Sequence, residues 1–377
     1  MILNFEGRRL REARRFKKLT IIELAESVGV SKQMISKYEK NEARPSTEVY
    51  HKLVLRLGFP LKFYQQKDQF DIIDKGTFYR SRYTSTQTEK KPSEILKKYF
   101  AIICDFFEEY VEFPELPRTE LSNNPVTAAK QLRNYWGLGE VPIKKMLMLL
   151  EEHGFHIASV TSTTEKVDAF SSFIEVNGNN QYCVLIDKDN NSFYRQQFSL
   201  AHELGHWILH ARSVDPTELS SKDHKDIESD ANLFASNFLM PKESFSSDLK
   251  QLDMNLDSFL SLKEKWKVSV SSMIFRAKDL EIISADEYLR LQKRISARGW
   301  RKKEPFDEIV DVPKPFALQQ AYNLLLEANI FQNQTIQDLI ENKYGICIPN
   351  YLIAELIGLK KEELEANNKK VVSFRRS

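Results

Sequence analysis

Cysteine is scarce: Cys104, Cys183 and Cys347 are the three in 377 residues. Their odd number and wide spacing exclude both a disulfide framework and a thiolate metal site. They read as small apolar core residues in a reducing compartment. Long hydrophobic runs are also lacking, so no segment is expected to span a bilayer. The opening MILNFEGRRLREARRF is charged throughout and has no signal-peptide core. A cytoplasmic protein without membrane contact is the expectation. No internal repeat or low-complexity segment is apparent. What is present suits packed domains: 42% hydrophobic residues exclude wholesale disorder, and the length has room for two or three domains. Net charge is only +2, but residues 1–64 hold 14 Lys/Arg against 7 Asp/Glu, a local +7 that leaves −5 for the remainder. A basic module on an acidic body implies a polyanion partner at one end.

Residues 5–64 read as five short helices. Leu10, Ala13 and Phe16 space the first. Thr20 and Glu23 form a capping box that opens the second, and Gly29 can take the left-handed conformation that ends it. Ser31 caps the third, KQMISKYEK, in which Met34, Ile35 and Tyr38 point inward. Helix, glycine turn, helix is the helix-turn-helix pattern. On its outward face Gln33 can pair with adenine and Ser36 with a groove edge, while Lys32, Lys37, Lys40 and Arg44 can neutralise phosphates. An ordinary solvated face is the rival reading. LTIIELAESVGVSKQMISKYEKNEARPS resembles the XRE (lambda-repressor/Cro-like) family. The resemblance implies binding to double-stranded DNA through residues 5–64, with Ser31, Lys32, Gln33, Ser36, Lys37, Lys40 and Arg44 as candidate contacts. It also implies a homodimer, because one copy per chain reads one half-site.

The most informative stretch is 193–241, FYRQQFSLAHELGHWILH, then a charged interval, then IESDANLFASNFLMP. It contains His202-Glu203-Leu204-Gly205-His206. On a helix, residues four apart share a face, so both imidazoles can reach one ion, with Glu203 beside it as a candidate base. The surrounding residues make this helix apolar on most faces, hence buried, and buried histidines need partners. A buried apolar helix with two hydrogen-bonded histidines is the rival reading. Two histidines leave a zinc site one protein ligand short. Position 212 is Arg212, which excludes the metzincin spacing. The next helix offers Asp226, Glu228 and Asp230. Against its stripe of Ile227, Ala231, Phe234, Ala235, Phe238 and Leu239, Glu228 lies nearest the inward face, roughly 60° from its centre. Asn232, four residues on, could orient Glu228. His210 and Tyr194 are candidate supports of the site, and Tyr194, His210 and His224 candidate oxyanion donors.

FSLAHELGHWILH followed by ESDANLFASNFLMP resembles the ImmA/IrrE family of zinc metallo-endopeptidases, which are similar to gluzincins. The resemblance implies His202, His206 and Glu228 as zinc ligands and Glu203 as the catalytic base. It also implies a protein substrate, a repressor or an antitoxin-like partner, since better-known members cleave helix-turn-helix repressors.

Between these modules, residues 65–92 read as a polar linker, with an aromatic-basic cluster at Phe78-Tyr79-Arg80-Ser81 whose plainer reading is loop packing. An amphipathic helix follows at 93–113, then two more helices within 125–154. HIASVTS, DAFSSFIEV and QYCVLIDK have strand character, broken at Asn177-Gly178-Asn179-Asn180. By resemblance to zinc peptidases of this shape, residues 167–176 would be an edge strand that holds substrate in extended form. The region 246–305 reads as a helix-turn-helix-like packing extension with Ser269 as a cap, ending in a basic turn. Residues 306–377 read as a helical C-terminal domain with a basic tail.

The fold expectation is mainly α with a small antiparallel sheet (α+β). It comprises a lambda-repressor-like domain (5–64), the linker (65–92), a gluzincin-like peptidase domain (93–245), its extension (246–305) and the C-terminal helices. The functional expectation is a DNA-binding transcriptional regulator with zinc-dependent endopeptidase activity. Two rivals use the same parts: a non-catalytic repressor whose peptidase-like body senses or dimerises, and a zinc-peptidase toxin or phage-defence component autoregulated by its own DNA-binding domain.

Overall fold

The computed structural model describes residues 4–79, 87–117, 120–161, 169–188, 192–210 and 220–368. Four helices open the chain: α1 (Gly7–Phe16), α2 (Ile21–Val28), α3 (Lys32–Glu39) and α4 (Thr47–Leu57), followed by a 3-10 turn at Leu61–Gln65. The expected local signals operate. Thr20 and Glu23 form a reciprocal capping box, Gly29 ends α2 at φ 74°, and the Ser31 side chain accepts from Met34 N. Leu10, Ala13, Leu24, Ile35, Leu53 and Leu57 are buried at the centre of this bundle. Arg14 donates to both oxygens of buried Glu39, at 2.5 and 2.9 Å, which ties α1 to the end of α3.

The body is built on a four-stranded sheet, β1 (Ile72–Tyr79), β2 (His156–Val160), β3 (Ala169–Val176) and β4 (Asn179–Asp187), in the order β1-β3-β4-β2. The sheet is mixed rather than wholly antiparallel. β3 runs antiparallel to β1 and to β4, but β2 pairs parallel with β4. The Asn177-Gly178 turn reverses β3 into β4. Because β4 and not β3 lies beside β2, two reversals leave that pair parallel. Residues 65–92, expected as a linker, contain the last residue of the 3-10 turn, all of β1 and the start of the next helix. Of the aromatic-basic cluster, Phe78 and Tyr79 belong to β1, while Arg80 and Ser81 lie outside the described residues. β1 also changes the status of β3: the strand expected at the sheet edge is interior, because β1 covers it.

Both faces of the sheet are buried, as the nearly continuous apolar character of β4 requires. On one face Phe170, Ile174, Cys183 and Leu185 meet α5 (Gln87–Glu108), whose residues from Tyr99 to Phe107 are almost all inaccessible to solvent. On the other face Ala169, Tyr182, Val184 and Ile186 meet a second core. That core is formed by α6 (Pro125–Tyr135), α7 (Met146–Glu151), α8 (Phe193–Leu209), α9 (Ser221–Leu239), α10 (Lys242–Leu249), α11 (Leu256–Trp266), α12 (Val270–Asp279) and α13 (Ala285–Ala297). Ser269 caps α12 as expected, accepting from Ser272 N, and Trp266, Val270 and Ile274 are buried. The segment after Pro241 is therefore packed into this core.

The C-terminal helices α14 (Ala317–Glu327), α15 (Ile336–Tyr344), α16 (Asn350–Leu356) and α17 (Lys361–Asn368) do not form a separate core. They share one with α5, the N-terminal bundle and the first face of the sheet. The basic tail lies outside the described residues. The contact between α1 and α5 is charged as well as apolar. Glu12 accepts from Lys98 Nζ at 3.1 Å and Tyr99 Oη at 2.9 Å, and Arg9 lies 3.2 Å from it. Burial opposes ionisation of Glu12, but the Lys98 and Arg9 charges outweigh it and hold the carboxyl below its ordinary value. Removing the carboxylate alone would strand the Lys98 ammonium in the interface. Glu12→Ala is therefore expected to cost about 3 kcal/mol in chemical denaturation. Lys52→Ala, which breaks only the exposed Glu48–Lys52 pair, should stay within about 0.5 kcal/mol.

Candidate metal centre

The site lies where α8 crosses α9. Ser192 caps α8, accepting from Arg195 N, and His202 through Trp207 are all buried. Gly205 makes the crossing possible. A Cβ there would lie 3.1 Å from Phe234 Cδ1 and 3.2 Å from the Ala231 Cα and carbonyl oxygen, all on α9. With no side chain in the way, the backbones approach closely and Glu228, one turn before Ala231, comes level with the two histidines.

His202 Nε2 and His206 Nε2 are 3.0 Å apart. Glu228 closes the set, its Oε2 3.4 Å from His202 Nε2 and its Oε1 3.4 Å from His206 Nε2. Three donors on a tetrahedral zinc at bond lengths of about 2.0–2.1 Å are separated by about 3.3 Å, so the set fits this ion. Its chemistry fits too. Two imidazole nitrogens facing each other beside a carboxylate, all buried or nearly so, need a shared positive charge between them. Among the described residues this is the one group of three or more such donors with that convergence. Burial works against the Glu228 charge, but the two imidazoles beside it outweigh burial and hold its pKa well below the ordinary carboxylate value.

The outer nitrogens hold both rings, and at His202 the partner fixes the tautomer. His202 Nδ1 lies 3.1 Å from Asn232 Oδ1, an acceptor, so Nδ1 carries the proton and Nε2 offers its lone pair. His206 Nδ1 lies 3.3 Å from His210 Nδ1. The pKa of His210 is pushed down to about 3, first by burial and then by the neighbouring His206, so it stays neutral. One of the two Nδ1 atoms donates to the other, and His210 Nε2 lies 4.0 Å from Asp230 Oδ2. His210 thus supports the site without being one of the convergent donors. Asn232 also acts differently from expectation. It grips His202 through its side-chain oxygen and donates to the Glu228 backbone carbonyl at 2.7 Å, rather than holding the Glu228 carboxylate.

Tyr194 does not join the site. It lies eight residues, about 12 Å along the helix, before His202, with the Lys263 ammonium 4.2 Å from its ring centre. His224 is buried one turn before Glu228, and Asp226 and Asp230 are not among the convergent donors.

Glu203 has partners that periodicity did not reveal. Ser171 on β3 donates to its Oε2. Tyr182 on β4 lies with its hydroxyl 2.8 Å from Ser171 Oγ and 3.1 Å from the Glu203 carbonyl oxygen. All three residues are buried. Because Ser171 gives its proton to the carboxylate, it accepts from Tyr182. Burial and the Glu203 charge raise the Tyr182 pKa far above ordinary, which keeps it a donor. The available signal was compositional: a serine pair inside an otherwise apolar strand, and a tyrosine in the strand that pairs with it.

At the other end of the chain, Ser31, Lys32, Gln33, Lys37, Lys40 and Arg44 are exposed and Ser36 half-buried, all on or beside α3. The α1 side of the bundle is the one docked on α5.

Comparison with known proteins agrees with this division. Residues 10–63 match the helix-turn-helix family model, and residues 150–278 match that of the IrrE N-terminal-like domain, peptidase family M78. Proteins assigned by name to the HTH-type transcriptional regulators in two strains of Methanococcus maripaludis are 48% identical over 59 residues. One from Methanococcus vannielii is 44% identical over the same length. Each match covers 16% of this chain and 18% of the relative, so the chain spans under a fifth of the length of these proteins. The chain thus joins an XRE-type helix-turn-helix domain to an IrrE/ImmA-like peptidase domain. Among the described residues, no helix is long and apolar enough to cross a membrane.

The geometry sets an order of metal affinities, measurable by competition with a chromophoric chelator. Asn232→Ala is expected to weaken zinc binding about 10–100-fold, the usual effect of losing a partner that orients a ligating histidine. Glu228→Ala should weaken it further, and Tyr194→Phe should leave it unchanged.

Proposed function

We propose that this protein is a cytoplasmic DNA-binding regulator that carries a zinc-dependent endopeptidase acting on a protein substrate, a repressor or an antitoxin-like partner. The observation that carries the reading is the 3.0–3.4 Å triangle of His202, His206 and Glu228 with Glu203 alongside. Zinc held by such a set lowers the pKa of water toward neutrality and polarises a carbonyl. Glu203 takes the proton of the attacking water and hands it to the departing amine. Ser171 and Tyr182 hold that carboxylate in one orientation and so act as positioning residues. Asn232 keeps the inner nitrogen of His202 unprotonated, and His210 holds the orientation of the His206 ring through its Nδ1.

If this is correct, Glu203→Gln retains stoichiometric zinc but cleaves a candidate repressor about 10²–10⁴-fold more slowly, the span of general-base catalysis. Ser171→Ala should lower kcat with KM and zinc content unchanged. Equal cleavage by wild type and Glu203→Gln, or a wild type that takes up no zinc, would favour the non-catalytic sensor.

The second half of the reading concerns residues 5–64. The exposed face of α3 is the element proposed to enter the major groove of double-stranded DNA, with Gln33 and Ser36 at base edges and Lys32, Lys37, Lys40 and Arg44 at phosphates. A homodimer would place two such helices on successive half-sites. Replacing Lys32 or Lys37 by Ala should weaken binding alike on all sequences and reduce the salt-dependence slope by about one each. Gln33→Ala should instead relax sequence preference. Both effects are read from binding isotherms at several salt concentrations.

A further inference from the structure

We propose that β1 is an internal competitor for substrate: Ile72–Tyr79 lies on the backbone edge that an extended peptide would use, and cleavage requires this strand to leave. The inference rests on the peptidase reading above and concerns the regulation of the same site. The register places Thr77, Phe78 and Tyr79 opposite Ser172, Ser171 and Phe170 of β3. Ser171 is the residue whose hydroxyl holds Glu203. Of the backbone edges near that carboxylate, β3 offers the one on the open side, since its other edge is paired with β4. A peptide adding to a sheet needs unpaired N–H and C=O groups, and β1 consumes those of β3. The outer edge of β1 is one strand spacing, about 4.8 Å, farther away.

The manner of attachment suits a strand that can be exchanged. The register shifts between Asp74 and Thr77, so the ladder is interrupted midway. Ile73 is 52% exposed, and Ile72 and Asp74 are exposed as well. Among the described residues, its start is held by reciprocal hydrogen bonds between Asp71 and Asn177, both 3.0 Å, and by an ion pair from Asp74 to Lys97 of α5. A partly exposed pair of this kind contributes at most about 1 kcal/mol. An incoming extended peptide would restore the backbone bonds that β1 gives up, so the exchange is close to balanced.

The test uses full-length, zinc-loaded protein and casein as an unstructured probe. Asp74→Ala combined with Phe78→Pro removes the ion pair and one ladder donor. If β1 covers the edge nine-tenths of the time, kcat/KM should rise about tenfold, chiefly through KM, because that fraction limits the competent state. Conversely, Ile73→Cys with Glu175→Cys, which face each other in the register, should slow cleavage when oxidised and recover on reduction. Hydrogen exchange supplies a readout independent of turnover. Amides at 170–174 should exchange faster in the loosened variant and be protected again by the peptide IIDKGTFY added in trans. Unchanged exchange there, or a cross-linked form that cuts as fast as its reduced form, overturns the proposal. If no form of the protein cuts casein or a candidate repressor, the peptidase reading fails instead, and the exchange measurement still decides whether β1 gives way to an added strand.

Discussion

The contact on which the rest depends is the backbone approach of α8 to α9 at Gly205. Three donors from two helices meet within 3.4 Å where the helices cross more closely than a side chain at the contact would comfortably allow. Gly205 and Ala231 permit this, and Phe234, Ala235 and Phe238 fill the flanks. A Cβ at position 205 would crowd Ala231 and Phe234, so α9, which carries Glu228, would have to give by a few tenths of an ångström. The interior is close-packed, so such a shift would propagate through the core rather than be absorbed locally. The spacing of the candidate ligands is thus a property of the second core as a whole.

The sheet serves this crossing from above and divides the molecule. Alternation sends Tyr182 and Ser171 toward α8, where they hold Glu203, and Cys183 and Phe170 toward α5. A one-residue slip in the register of β3 would turn Ser171 away from Glu203 and bring Phe170 or Ser172 to its place. The tight Asn177-Gly178 turn fixes that register, with both residues at positive φ. A surface turn thereby sets the environment of a buried carboxylate.

Much of this was legible in the order of residues because it rests on local rules. The capping box at Thr20, the left-handed Gly29 and the four-residue spacing of His202 and His206 each follow from chemistry within a single helix turn. The inward aim of Glu228 followed from helical period against one apolar stripe. What stayed hidden depends on contacts distant in sequence. β1 reads as polar connector because an edge strand needs no apolar face of its own; its pairing comes from the backbone of β3, about a hundred residues on. The parallel β2–β4 pair depends on strand order, which strand propensity does not encode. Asn232 was recognised as a support, but which ligand it steadies depends on the crossing angle of two helices. Tyr194 shares α8 with His202, but helix rise carries it out of reach.

The shared core has a consequence for how the two modules can communicate. The helix-turn-helix bundle, α5, one sheet face and α14 to α17 form one apolar body. The charges at the α1–α5 contact, buried Arg9 and half-buried Glu12 and Lys98, favour one docked geometry. Such pairs contribute less to net stability than to discrimination, since any shifted docking leaves a charge without its partner. The bundle is therefore not a bead on a flexible tether. Asp68, in the segment between the bundle and β1, pairs with Arg8 and Arg9, and Gln69 N donates to the Tyr344 carbonyl at 2.9 Å. These few residues join the bundle to β1 along the chain, beside the contact that α1 makes with α5. The helix-turn-helix bundle and the sheet beside the candidate metal centre are thus joined twice, along the chain through residues 66–71 and through the core that both share with α5.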